Sequence, residues 1–406
     1  MFSNRNIVSA VEFGTSKVCV LIGEVMSNGR MELIGHGEVP SAGAVVKGEI
    51  SDMERTVNAL RKAFELAEKK ADCDLSDCQI ITVIATGGGI ESHQELAGVS
   101  VNTANGIVTD NEKNAVSEAA RRIAYVNDRE IINLCTSSFT LDKRHVVEPC
   151  GQSGKYLEAD VHIVSANTRR LETFIQAIRE AGFENARIEP VFTPLADVNG
   201  SVDDDDQQNG FILLDIGAGT TEYLLNIDGG VRESGVIRIG MEHVANDLAI
   251  GLSLPIDKCR ALLRDATIAD AIKGQSEFIE IQLRPRHARK IPVSSCECII
   301  DARLRELVSV VRSKIPVKHS LNTLGAGGLL TGGGALYPPF KEIFTSEFDI
   351  PCRTVVPIKP GSLSLEKPQY SAVWGALTLA PEFVEVQRRP GMLERLFSKF
   401  SRDGGN

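Results

Sequence analysis

The chain has 406 residues, 43% of them hydrophobic and 24% charged, and a formal net charge of −10. This length allows two domains or one large two-lobed fold, and the acidic balance argues against a general nucleic-acid binder, which needs a basic surface. No apolar run reaches the roughly 18 residues of a membrane-spanning helix, and the opening stretch lacks the apolar core and cleavage site of a signal peptide.

The first segment alternates as strands do: "IVSAVEFGT", "KVCVLIGEV" and "MELIGHGEV", with the turn signals "GTS" and "SNGR" between them. An antiparallel meander is expected. "SDMERTVNALRKAFELAEKKA", residues 51–71, has a helical period, with Ser51 or Asp52 as N-cap and Val57, Leu60, Phe64 and Ala67 as its inner stripe. "QIITVIAT" reads as a buried strand. From about Gly87 to His162 the pattern changes to strand-like stretches around the helical "TDNEKNAVSEAARRIAY", which fits a small inserted domain. A helix over "TRRLETFIQAIREAGF" should stop at Gly182. "NGSVDDDDQQNG", residues 199–210, is polar and carries four adjacent Asp, so it reads as a solvated loop between lobes.

After it the opening plan recurs. "FILLDIGAGTTEYLLNID" matches "VSAVEFGTSKVCVLIGEV" as strand, glycine turn and strand, which points to duplicated lobes. A third glycine turn, "LLTGGGA", stands between a strand and a helix. The nine cysteines show no paired zinc spacing, so reduced cytoplasmic thiols are expected. At the end, "MLERLFSKF" places Met392, Leu393, Leu396, Phe397 and Phe400 on one helical side, with Arg395 and Lys399 on others. Preceded by the polar breaker "EVQRRPG", it reads as a tethered helix that lies in a membrane interface beside anionic headgroups.

The paired turns carry the chemistry. Each follows an acid at a strand end, Glu12 or Asp215. Each then offers small residues: Gly14, Thr15 and Ser16 in one, Gly217, Ala218, Gly219, Thr220 and Thr221 in the other. Small residues let backbone N–H groups approach an anion, and hydroxyls add donors. The carboxylates suit a hydrated Mg²⁺, and Lys17 adds charge toward a phosphate. Gly332, Gly333 and Gly334 would admit a base or ribose against bare backbone. No Walker loop is present, and the paired turns lead into strands, unlike a Rossmann fingerprint.

In these motifs the sequence resembles the actin-like ATPase superfamily: "VEFGTSK" and "LLDIGAGTTE" are similar to its two phosphate motifs, "LLTGGGA" to its adenosine motif, and "SAVWGALTLAP" to its second connecting helix. Within it, "PSAGAVVKGEISDMERTVNALRKAFELAE" and "GQSGKYLEADVHIVSAN" resemble the FtsA family of bacterial cell-division proteins over essentially the whole chain. The resemblance implies an α/β actin-like ATPase fold, with two duplicated RNase H-like lobes and inserted subdomains. These are 1A (1–86 and 163–198), an SHS2-like 1C (87–162), 2A (211–240 and 308–368) and 2B (241–307). The acidic inter-lobe loop takes 199–210, a helix returning to 1A takes 369–384, a linker 385–390 and the membrane-targeting helix 391–402.

It further implies ATP and Mg²⁺ in the cleft, with Gly240 joining the phosphate contacts, and self-assembly into protofilaments. FtsZ binding through its C-terminal tail, other divisome partners, and residence on the cytoplasmic face of the inner membrane at the division site follow in the same way. "SCECIIDARLREL" resembles the helix that receives the FtsZ tail and puts Arg303 on it, with Arg286 and Arg289 in the basic stretch before it. Glu222 stands where the second phosphate motif commonly has Asp, and Cys259 where an adenine-contacting Glu is expected, so weak or no hydrolysis is implied. Two alternatives share the fold: a pilus-assembly protein of the PilM kind, and a small-molecule kinase, which needs a general base that the sequence does not point to.

Overall fold

The computed structural model of the chain describes residues 6–388 apart from 27–30, 74–77, 79, 285–286, 317–318 and 362–364. The opening meander forms as expected: β1 (Ile7–Phe13), β2 (Lys17–Val25) and β3 (Met31–Pro40) pair antiparallel. A short ribbon of β4 (Val45–Val46) and β5 (Glu49–Ile50) leads into α1 (Met53–Ala71). Asp52 caps α1 by accepting from the Arg55 N–H, and Val57, Leu60, Phe64 and Ala67 are all buried against the sheet. β6 (Ile80–Ala85) joins β1 in parallel.

The chain then leaves this sheet. β7 (Ile90–Ser100), α2 (Asp110–Ile123), β8 (Arg129–Leu141), β9 (Arg144–Val146) and β10 (Tyr156–Asn167) build a separate sheet in the order β7-β10-β8-β9, with its own core under α2. A Thr109–Glu112 capping box starts α2. β10 pairs with β7 as far as Ala166, so this sheet runs past the expected boundary at 162. α3 (Thr168–Glu180) and β11 (Arg187–Phe192) return to the first sheet, where β11 runs parallel to β6.

The acidic stretch is not a loop. α4 (Thr193–Ser201) covers its first residues and α5 (Asp204–Asn209) most of the rest. Asp203 caps α5 by accepting from the Asp206 N–H, and three acids occupy the first turn, where the helix dipole favours negative charge. The repulsion that suggested a loop is offset by this placement and by the Arg353–Asp206 ion pair.

The second lobe repeats the first. β12 (Phe211–Ile216), β13 (Thr221–Ile227) and β14 (Gly230–Ile237) form an antiparallel meander. α6 (Met241–Leu252), α7 (Ile256–Arg264), α8 (Thr267–Lys273), the hairpin β15 (Phe278–Arg284) and β16 (His287–Pro292), and α9 (Val293–Lys314) follow. α9 runs unbroken through the expected 307/308 subdomain boundary. β17 (Gly327–Thr331), α10 (Phe340–Phe348) and β18 (Cys352–Thr354) then complete the sheet. The two five-stranded sheets read β3-β2-β1-β6-β11 and β14-β13-β12-β17-β18, one topology used twice.

α11 (Ser371–Arg388) lies across α4, and the two backbones touch at Gly200 and Gly375. It continues through residues 385–388, so the first part of the expected linker is helical. Residues 389–406, with the expected membrane helix, lie outside the described residues.

Candidate nucleotide site

Both glycine turns are tight hairpin ends whose carbonyl groups are spoken for. In the first, the Gly14 N–H donates to the Lys17 carbonyl oxygen at 2.9 Å, and the Ser41 hydroxyl donates to the Gly14 carbonyl oxygen at 2.6 Å. In the second, the Gly217 N–H donates to the Thr220 carbonyl oxygen at 3.0 Å. The Gly217 and Ala218 carbonyls accept the first N–H groups of α6, from Met241 and Glu242, at 3.1 and 2.8 Å. Among the described residues, no backbone bond uses the N–H groups of Thr15, Ser16, Ala218 or Gly219. Free N–H groups on small residues are what an anion needs.

The turns face one another. A Cβ on Gly219 would stand 2.3 Å from the Thr15 Oγ1 and 2.8 Å from the Lys47 Cα, so the lobes meet backbone to backbone here. Gly240 packs equally close on the second turn, 2.6 Å from its Cβ position to the Ala218 carbonyl oxygen. The contact is fastened nearby: Glu49, held at 2.5 Å by Arg170 of its own lobe, pairs across with Arg238 at 3.2 Å, and Lys47 Nζ lies 3.2 Å from His243 Nε2.

The third turn adjoins the second. Gly332 has φ +79, and a Cβ on it would fall 2.0 Å from Asp215 Oδ1. Gly334 is crowded by Ile216, but nothing lies within 4 Å of a Cβ built on Gly333, which leaves bare backbone open to a flat group.

Beneath the turns sit four acids: Asp197, Asp215 and Glu222, which are buried, and Glu12, which is half-buried with its Oε2 enclosed. Burial raises the carboxyl of Glu12 to about 7, and Asp215 and Glu38 add to this while Lys17 opposes it. Burial, and then Glu222, raises Asp215 to about 7. Burial also raises Glu222 to about 7, against hydrogen bonds from Thr86 and Thr220. Asp197 is raised well above its usual range by burial and by Asp215 beside it. Among the described residues, neither Asp197 oxygen receives a donor, nor does Glu12 Oε2. Asp197 and Asp215 can therefore bond to each other only when one carries a proton. Orphaned carboxylate oxygens beneath free N–H groups fit a cation bound together with an anion.

A pH dependence follows. Folding holds these carboxyls protonated above their ordinary range, so metal-free stability declines as pH rises from that range through about 7. Melting curves at about pH 5 and about pH 8 should show this decline, and Mg²⁺ with nucleotide should oppose it at the higher pH.

Not every expected residue faces the cleft. Lys17 Nζ donates to Glu38 Oε2 at 2.9 Å and lies 3.9 Å over the Tyr370 ring. The Thr221 hydroxyl donates to the Ile239 carbonyl oxygen at 2.9 Å. Cys259 is fully buried in the core of the second lobe. Sequence reasoning missed Asp197; the available signal was a single Asp inside the apolar "TPLADVNG".

Two family models match the chain: "SHS2 domain inserted in FTSA" over residues 87–165 and "Cell division protein FtsA" over residues 212–375. Together they span more than half of it. The chain belongs to the FtsA family. It is 28% identical to the cell division protein FtsA of Borreliella burgdorferi, covering 98% of this chain and 96% of that one. It is 26% identical to FtsA of Escherichia coli K12, covering 95% and 94%. Among solved structures, the PilM-PilN type IV pilus biogenesis complex matches with a TM-score of 0.57 at 16% identity, covering 92% of this chain and 98% of that one. MreB5 of Spiroplasma citri bound to ADP matches with 0.54 at 13%, covering 96% and 100%. The fold is thus the actin-like ATPase fold.

Away from the cleft, Arg303 on α9 is already engaged: it grips Asp247 with Nε at 2.5 Å and Nη2 at 3.1 Å, and its Nη1 donates to Glu306 at 2.6 Å. Arg289 Nη1 donates to the Leu252 carbonyl oxygen at 2.8 Å. Arg286 lies outside the described residues, as do Met392, Leu393, Arg395, Leu396, Phe397, Lys399 and Phe400. No helix among the described residues is long and apolar enough to cross a membrane.

Proposed function

We propose that this FtsA-family chain binds ATP with Mg²⁺ between its lobes, assembles head to tail, and tethers FtsZ to the cytoplasmic face of the cell membrane through residues 391–402. The observation that carries the nucleotide part is the meeting of two glycine turns, with unused N–H groups, above a buried acid cluster. Thr15, Ser16, Ala218 and Gly219 would hold phosphate oxygens. Glu12 and Asp215 would hold the cation through water, and Gly333 would face the nucleoside. Mg²⁺, when bound, neutralises phosphate charge and lets the carboxylates stay ionised. Because the turns touch, the lobes must part to admit a nucleotide, and the Glu49–Arg238 pair and the Lys47–His243 contact, which cross between them, must loosen or move with them. Turnover is expected to be weak.

The membrane part rests on the sequence of the tail and on family membership. One short interfacial helix binds weakly, and assembly multiplies it, so attachment strengthens by avidity. The FtsZ tail would reach α9 by competing with Asp247 for Arg303, which makes Asp247→Asn a variant expected to bind the tail more tightly.

Sedimentation with anionic vesicles tests the whole reading. The full chain should carry FtsZ into the pellet. A chain ending at Arg389, or Phe397→Glu, should leave both in the supernatant while nucleotide binding survives. Equal pelleting by all three would contradict the tether.

A further inference from the structure

A second cluster of ligating groups lies on the first sheet, directly beside the cleft acids, since Cys19 pairs with Glu12 across β1 and β2. β2 and β3 pair so that Cys19 stands opposite Glu38 and Leu21 opposite His36. His36 and Glu38 are two residues apart on β3, so both project from one face, the face that carries Cys19. The Cys19 Sγ, a ring nitrogen of His36 and a carboxylate oxygen of Glu38 all lie within 4.8 Å of one another. Cys19 is fully buried, and His36 Nε2 is a buried nitrogen with no hydrogen-bond partner among the described residues. A buried nitrogen left unpaired is unfavourable unless something else engages it.

The surroundings hold these groups in place. The Tyr370 ring meets His36 edge-on at 5.4 Å between centroids, and the Tyr370 hydroxyl donates to Glu38 Oε2 at 3.0 Å. Lys17 donates to the same oxygen at 2.9 Å, and Oε1 takes neither bond. A carboxylate steadied through one oxygen with the other left over is the outer-shell arrangement of metal sites.

We propose that Cys19, His36 and Glu38 bind a zinc-like divalent cation, with a water in the fourth position. One thiolate, one imidazole and one carboxylate form a zinc donor set, and three protein ligands leave one tetrahedral site open. From the usual bond lengths, ligand atoms around such an ion stand about 3.3–3.7 Å apart, so the cluster has to contract by no more than about 1–1.5 Å. On binding, the Cys19 thiol releases its proton to solvent and His36 coordinates as the neutral ring. The thiolate and the Glu38 carboxylate balance the charge of the ion, and Lys17 keeps its bond to Oε2. Ligand spacing along the sequence conceals such a site, because the donors come from neighbouring strands.

The test needs no nucleotide and reads a thiolate band, which the carboxylates of the cleft do not produce, so its failure is distinguishable from failure of the cleft site. The reduced full chain, freed of metal with a chelator, is titrated with Co²⁺ as a spectroscopic stand-in and then with Zn²⁺. The expected result is a thiolate-to-cobalt charge-transfer band that saturates at one equivalent and is erased by Zn²⁺. The band should be missing in Cys19→Ser. In His36→Gln, which keeps the buried cysteine and guards against a folding defect, the Co²⁺ affinity should fall at least about tenfold. A wild-type chain without the band, a band that persists in Cys19→Ser, or an unchanged affinity in His36→Gln would each overturn the proposal.

Discussion

Gly332→Ala is expected to abolish nucleotide binding while leaving a folded chain. At φ +79 an alanine is strained by roughly 1–2 kcal/mol. The larger effect is steric: the new methyl would stand 2.0 Å from Asp215 Oδ1 and 2.7 Å from the Ile216 backbone, so Asp215 must leave its position over the cleft. Calorimetric titration with ATP and Mg²⁺ should give no saturable heat where wild type saturates, and circular dichroism should report an intact fold. Gly333→Ala is the matched control for strain, since nothing lies within 4 Å of its added Cβ. That variant should melt like wild type, and any loss of affinity in it reports a ligand lying over the turn.

Gly375→Ala is expected to be among the most destabilising single substitutions in the chain. Its Cβ would stand 1.7 Å from the Ala196 carbonyl oxygen and 2.9 Å from the Gly200 nitrogen, both on α4. No side chain can swing away, because the obstacle is backbone. Either α11 shifts off α4 or both helices bend, and overpacking of this kind costs about 1–3 kcal/mol or more. The shift in urea midpoint at constant slope measures it. A midpoint equal to wild type would mean that α4 and α11 do not cross this closely.

Much of this architecture could be read before the structure, and the reasons are local. The paired meanders were legible because strand period, turn residues and a terminal acid recur together in "VEFGTSK" and "LLDIGAGTTE", and the repeat then reappears as one sheet topology used twice. α1 was legible because its cap and its stripe agree. The acidic stretch was misread because charge repulsion along the chain was weighed, whereas the helix dipole, the Asp203 cap and Arg353 were not visible. The ends of β10, α9 and α11 were set by pairing and packing from distant segments, which no local pattern encodes. Asp197 and the Cys19–His36–Glu38 cluster escaped for the same reason: each gains meaning only from neighbours brought in by the fold. The glycine turns show the opposite case, because the residue type itself carries the constraint.

The central claim is that the buried acids under the glycine turns serve a bound cation and nucleotide and not the stability of the fold. Melting temperatures of wild type and Asp215→Asn, each with and without ATP and Mg²⁺, test this directly. Without ligand, Asp215→Asn should melt at or above wild type at about pH 8, since it relieves a crowded set of carboxylates. With ligand, wild type should gain several degrees and Asp215→Asn little or none. An equal gain in both proteins, or no gain in wild type, would contradict the account.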